Sequence, residues 1–264
     1  MENLEKFYIN GRWVTPNSTE TMPVSNPATE QKIGRITLGN GADVDRAVTA
    51  ALTAFEEFSQ TSKAQRLSLL LRLKSVTEAR FEDLAQAMRL EMGAPISMAR
   101  SDQADAAVGH LQGFIDALEK LEEQITLASG DVLVREPIGV CGLITPWNWP
   151  MNQIVLKVVP ALATGSCCIL KPSEHTPISA MIYAEIVDEA GYPPGVFNLV
   201  NGDGPTVGAA LSRHADIQMM SFTGSTRAGM AVTQGAAPTV KRVTLALGGK
   251  SPNLVFADCD LENQ

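Results

Sequence analysis

Past Gly130 the chain repeats one unit, a short apolar β-rich run followed by a helical stretch. The runs are "VLVREPIGVCGLIT", "SCCILK", "VFNLV", "IQMMSFTG" and "VKRVTLAL". Between them lie "MNQIVLKVVPALATG", "TPISAMIYAEIVDEAG", "TVGAALSRH" and "STRAGMAVTQGA". Strands with so little polar alternation are buried on both faces, and a helix between successive strands brings the next one in parallel. The pattern therefore predicts an α/β fold built on a parallel sheet. Ligands in such sheets bind outside the carboxyl ends of the strands, so the residues that follow each run are the ones that matter for function.

The region before Gly130 has a different texture. "FYINGRWV" carries Asn10-Gly11, a hairpin signal, between two runs containing aromatics, and "SNPATEQKIGRI" repeats the logic with Asn26-Pro27. From Asp43 to about Gln124 the apolar spacing turns helical: Val44, Ala47, Val48, Ala51, Leu52 and Phe55 recur every three or four residues. Gly93-Ala94-Pro95 marks a break between helices. A chain of 264 residues with 45% apolar and 19% charged residues has the balance of a folded, water-soluble protein. Its net charge of -8 argues against general affinity for nucleic acid or an anionic membrane. No apolar run reaches the ~18 residues of a membrane span, and "MENLEKFYING" does not read as a secretory signal. The four cysteines show neither a disulfide framework nor metal-ligand spacing, so the expectation is a cytoplasmic, reduced, metal-free protein.

Each strand end has a plain reading and a chemical one. In "TPWNWP" two prolines stiffen a loop that holds Asn148 between two tryptophans, either a packed turn or a preorganised amide. In "KPSE", Lys171 and Glu174 form either a solvated ion pair or a site for ribose hydroxyls. "NGDGPTVG" holds Gly202, Gly204 and Gly208, which is not the spacing of a dinucleotide glycine loop. "TGSTRAG" places Ser225 as an N-cap at a helix start, where free N–H groups can receive phosphate. "VTLALGGKS" suggests a triphosphate loop, but that motif needs glycine where Thr244 stands. It also opens a helix, whereas here "NLVF" reads as further strand. A nucleoside triphosphatase is excluded on those grounds.

Taken in order, "ITPWNWP", "KPSE", "GDGPTVG", "FTGSTRAG" and "LALGGKSPN" resemble the aldehyde dehydrogenase superfamily, and "FYINGRWV", "NPAT" and "REPIGV" fit as well. The resemblance runs from the hairpin near Gly11 to the last residue. It implies a Rossmann-like parallel sheet with flanking helices plus an oligomerisation β-ribbon. The implied division is residues 1–124 for hairpins and helical layer, 125–136 for the ribbon, 137–247 for the NAD-binding domain, and 248–264 for the start of a catalytic domain. The implied reaction is oxidation of a small aldehyde to the acid with NAD(P)+ through a cysteine thioacyl intermediate. Asn148 would donate to the oxyanion. Ile144, Thr145, Pro146 and Trp147 would line the nicotinamide side. Lys171 and Glu174 would hold the adenosine ribose, and Gly204 and Gly208 would let the adenine end approach the backbone. Ser225 would meet the pyrophosphate, and Ser173, Phe222, Thr223, Gly224 and Leu247 would also bind the cofactor. A carboxylate at Glu174 suits the free 2′-hydroxyl of NAD better than the phosphate of NADP. The family also implies a homo-oligomer, dimer or tetramer.

Two departures qualify the resemblance. The family's general-base glutamate falls at Ala246, whose methyl neither accepts a proton nor orients water. The family's nucleophilic cysteine comes in a later segment than any cysteine of this sequence. Cys141, Cys167, Cys168 and Cys259 read as buried or bland thiols, because a reactive thiolate needs a polar, accessible setting. The sequence is thus expected to be an amino-terminal portion, inactive alone. The alternative is a catalytically dead NAD-binding or assembly module. His110, His175 and His214 show no ligand pattern and read as surface or turn residues.

Overall fold

The repeated strand–helix unit folds into a seven-stranded sheet in the computed structural model, which describes residues 3–260. The parallel strands are β7 (Val140–Ile144), β8 (Cys167–Lys171), β9 (Phe197–Leu199), β10 (Met219–Gly224) and β11 (Arg242–Leu247). Their spatial order is β11-β10-β7-β8-β9, so the chain first winds outward on one side of β7 and then returns to build on the other. That reversal places a switch point between β7 and β10, where crevices open at the carboxyl ends of strands. Every residue of β7, β8 and β9 is buried, which is why their sequences lack alternation. The hairpin β1 (Phe7–Ile9) and β2 (Arg12–Val14) extends the sheet beyond β9 in the antiparallel sense. Its turn has Asn10 at φ 55 and Gly11 at φ 72, the two positive angles a tight two-residue hairpin requires.

The second predicted hairpin, β3 (Thr21–Ser25) with β4 (Lys32–Thr37), makes a separate two-stranded sheet. Helix α1 (Gly41–Phe58) follows, started by a reciprocal Asn40–Asp43 capping box. Then come α2 (Lys63–Ala79), α3 (Phe81–Glu91) and a short α4 (Ile96–Met98). A π-helical segment, Ala99–Ala104, runs into α5 (Asp105–Lys120). The helical region thus ends at Lys120, short of the expected Gln124. Gln124 instead opens β5 (Gln124–Thr126), which pairs with β6 (Val132–Val134) as a ribbon. Leu127, Val132, Leu133 and Val134 are exposed on it.

Helices α6 (Pro150–Ala163) and α7 (Ile178–Glu189) cover one face of the sheet and are backed by α2, α3 and α5. Helices α1, α8 (Ala209–Arg213) and α9 (Thr226–Ala236) cover the other. The stretch expected as helix from Thr206 is a π turn, Gly204–Gly208, before α8 begins. The "NLVF" run is not a strand: residues 248–260 carry no regular element, and Leu254, Val255 and Phe256 are exposed. The strand expectation failed because periodicity cannot report whether a partner strand is available. The last four residues of the expected catalytic start, 261–264, lie outside the described residues. Among the described residues no helix is long and apolar enough to cross a membrane.

The turn entering β9 is locked against α1. Gly195 has φ +86, and a Cβ there would come within 2.5 Å of the Ala50 carbonyl oxygen and 2.9 Å of Ala54 Cβ. Its own carbonyl accepts from Asn198 Nδ2 at 2.8 Å. Gly195→Ala meets both a disfavoured backbone angle and a backbone clash. We expect it to lower unfolding free energy by about 2 kcal/mol or more, read as a drop in the urea midpoint. A midpoint within error of the parent's would contradict this packing.

Candidate functional site

The crevice at the switch point is a cleft of about 560 Å³. Ile144 and Phe222, register partners on β7 and β10, form its floor, and the π turn with α8 and α9 forms its walls. Gly204, Gly208, Ala209, Ala228 and Ala231 line it, so its walls are mostly small side chains. A Cβ on Gly204 would meet nothing within 4 Å, so the glycine leaves its backbone open to the cleft. A Cβ on Gly208 would reach ordinary contact with Ile144 at 3.7 Å and Lys171 at 3.9 Å. Extra bulk at Gly208 would therefore occupy the junction between the cleft and the end of β8. Four of the residues proposed from sequence for cofactor binding, Ile144, Gly204, Gly208 and Phe222, converge here.

Beside the cleft stands the end of β8. Lys171 is 2% exposed, and its ammonium donates to the Pro172 carbonyl at 2.9 Å and to Glu174 at 3.2 Å. Burial pushes its pKa down, while the carboxylates of Glu174 and Asp203 oppose that shift. The lysine is thus internal rather than free in the crevice, and it braces the loop that follows β8. Asp203 in turn caps the π turn, accepting from Thr206 N at 2.7 Å. Glu174 keeps partial exposure, so its carboxylate still reaches solvent. Ser173 is buried, and its hydroxyl accepts from His175 N at 3.3 Å. Thr145 is buried too, with its N–H on the Lys171 carbonyl at 3.2 Å.

Ser225 is the N-cap of α9, accepting from Ala228 N at 3.3 Å, and is exposed at the mouth of the site. Gly224 and Leu247 end their paired strands side by side. Pro146, Trp147 and Asn148 form the loop into α6. Trp147 is 56% exposed, and Asn148 is exposed with its amide open to solvent.

Strand register separates the sequence candidates into two faces. Phe222 faces the cleft. Thr223, its neighbour, pairs with Ala246 and points to the α6 side. Ala246 therefore lies across the sheet from the cleft, on the exposed edge strand β11. The same face carries a residue that sequence reading missed. Lys157 of α6 is 8% exposed and donates to Ser221 Oγ at 3.0 Å, with burial pushing its pKa down to about 8. One sequence signal was available, a lone lysine inside the apolar run "IVLKVV". Among the described residues no cluster of three or more His, Cys, Asp or Glu side chains is placed to hold a metal ion. His175 is exposed in the loop after β8, His110 meets Asn152 Oδ1 at 2.6 Å, and His214 lies 3.4 Å from Asp45.

A model of the aldehyde dehydrogenase family matches residues 13–264. The chain is 52% identical over 263 residues to a 3-succinoylsemialdehyde-pyridine dehydrogenase from a Pseudomonas species, spanning 99% of this chain and 55% of that protein. It is 49% identical over 262 residues to a putative aldehyde dehydrogenase of Staphylococcus aureus, with the same coverage. Among solved structures, aldehyde dehydrogenase from Bartonella henselae superposes with a TM-score of 0.93 at 48% identity, covering 97% of this chain and 55% of that one. A mutant of aldehyde dehydrogenase C from Pseudomonas syringae, complexed with NAD+ and octanal, gives 0.94 at 52% identity, covering 98% and 53%. The chain spans about 55% of the length of the curated relatives it matches.

Three of the four thiols are internal. Cys141, Cys167 and Cys168 are at most 2% exposed in β7 and β8, and burial pushes Cys141 and Cys167 up to about 12 and Cys168 upward as well. Only Cys259 is partly exposed. We expect native protein to release about one equivalent of thiolate product with Ellman's reagent, and all four cysteines to react after unfolding. Rapid reaction of two or more in the native state would show that the β7–β8 core opens.

Proposed function

The chain belongs to the aldehyde dehydrogenase family, and on that premise we propose that its switch-point cleft holds the adenosine end of a nicotinamide cofactor. The supporting observation is the convergence of Ile144, Gly204, Gly208 and Phe222 on one apolar cleft, with Glu174 beside it, so that on this reading Ile144 serves the adenosine end rather than the nicotinamide side that the resemblance implies. The walls admit a flat ring because small residues line them. An ionised carboxylate at Glu174 accepts from a ribose diol and repels a 2′-phosphate, which favours NAD over NADP. Ser225 and the free N–H groups of the α9 start would meet the pyrophosphate. Thr145, Pro146 and Trp147 would border the nicotinamide. When bound, the cofactor supplies a hydride acceptor.

In a polypeptide that also carries a nucleophilic cysteine, the reaction is oxidation of an aldehyde to the acid through a thioacyl intermediate. Asn148, open at the loop before α6, would donate its amide to the oxyanion, a contact typically worth ~3–4 kcal/mol. The base that activates water would act from the Ala246 position, and alanine gives no such help. That step should run about 10²–10⁴ slower than with a carboxylate there. The chain on its own is therefore read as a nucleotide binder that turns over no aldehyde. Ala246 also favours the second reading, a nucleotide-binding module whose role is assembly. The apolar ribbon β5–β6 would serve such assembly, as a dimer or tetramer.

Titrating NAD+ into the purified chain and following tryptophan fluorescence tests the reading, since Trp147 is exposed at the site. Saturable quenching is expected. Gly208→Val, which fills the cleft junction, should weaken binding about tenfold or more, and Glu174→Gln should narrow the preference for NAD+ over NADP+ by about tenfold. Absence of saturable binding would refute the cofactor site, and aldehyde-dependent NADH formation would refute the inactivity.

A further inference from the structure

The last residue of α3 is Glu91, a carboxylate at the helix end that least favours an anion. It is 3% exposed, and its oxygens are directed at another helix. Oε2 accepts the backbone N–H of Ile178, and Oε1 accepts that of Ser179 at 3.0 Å. Those amides open α7, which has no side-chain cap of its own because Pro177 occupies the N-cap position. The charge that is unfavourable at the end of α3 thus sits at the positive end of α7. Immediately before α7 lies the loop from Pro172 to Thr176. It is cross-braced internally by Thr176 N on the Ser173 carbonyl at 3.2 Å and by His175 N on Ser173 Oγ. This loop carries Glu174. One of its ends is the buried strand β8, and the other is the helix start that Glu91 holds.

We propose that Glu91 is a positioning residue for the nucleotide site: by clamping the first amides of α7 it fixes the Ser173–Thr176 loop, and Glu174 with it, beside the cleft. This rests on the reading of the cleft as a cofactor site. Burial raises the Glu91 pKa to about 7 against the opposing hydrogen bonds from α7, and no charged side chain is among the groups acting on it. On the neighbouring π-helical segment, Arg100 is held at the surface by Glu82. Above about pH 7 the ionised carboxylate accepts both amides. Because burial raises the Glu91 pKa, taking up a proton relieves the buried charge, and lower pH does not by itself open the clamp.

Backbone hydrogen–deuterium exchange on the full chain, parent and Glu91→Gln, measured on both sides of pH 7 with and without NAD+, tests this. In the parent, protection over residues 171–180, corrected for intrinsic rates, should hold or rise as the pH falls through about 7, because the packed state binds the Glu91 proton more tightly than an opened one does. In Glu91→Gln it should be low at both pH values, with β7 and β8 unchanged and NAD+ bound about tenfold more weakly than by the parent above pH 7. Parent-like protection in Glu91→Gln overturns the proposal, as does an equal loss across β7, β8 and β9, which marks general destabilisation. Should Glu91→Gln fail to fold, Glu91→Asp takes its place, and parent-like protection in that shorter side chain, which cannot reach both amides, overturns the clamp. A parent that binds no NAD+ refutes the cofactor reading, while the exchange data still judge the clamp separately.

Discussion

Strand β7 is the constraint on which the rest depends. Its five residues are all buried, and it is hydrogen-bonded in parallel to β8 on one side and β10 on the other. A strand so placed needs covering on both faces, because an uncovered apolar face in water would cost roughly 25 cal/mol per Å². Helices α6 and α7 supply one cover, and α1 with α8 and α9 the other. The chain must then cross from β9 back past β7 to lay down β10, and that crossing opens the cleft. The site is thus a consequence of the winding order. Small residues, Gly204, Gly208, Ala228 and Ala231 among them, keep it open where the π turn and α9 face each other over the β7–β10 pair.

Much of this was legible in the sequence because burial on both faces leaves a signature. "SCCIL" and "VCGLI" could be read as internal strands, and they are. The Asn10-Gly11 turn was legible for a local reason, the positive φ both residues adopt. What could not be read were events decided by distant partners. Helical periodicity persists to Lys120, but nothing local says that Gln124 will find Val134 as a strand partner. "NLVF" has strand composition and no partner, so it forms none. The joining of β1 to β9 depends on a pairing 191 residues apart, Tyr8 with Leu199, which no window of sequence contains.

The same limit applies to the site. Motif order brought out Lys171, Glu174, Gly208 and Phe222, because each lies in or next to a motif at the carboxyl end of a strand run. It left "KPSE" as either a solvated ion pair or a ribose site, whereas Lys171 is buried and donates to both Pro172 and Glu174. Lys157 went unread because an isolated lysine in an apolar helix has no spacing to mark it. Its partner, Ser221, lies on a strand 64 residues later. Glu91 is the same case: its role becomes visible only when α7 is seen to start at Pro177 without a cap.

Register gives the two-face division its force. Successive residues of a strand point to opposite sides, so Phe222 and Thr223 cannot serve the same compartment. The cleft lies on the Phe222 side. Ala246, paired with Thr223, lies on the other, the side that also holds Lys157 and Ser221. A substitution at Ala246 can therefore change chemistry on the α6 face without touching the walls of the cleft. Alanine at 246 is not one of the cleft-lining residues, so the proposed nucleotide site does not depend on which side chain stands at that position.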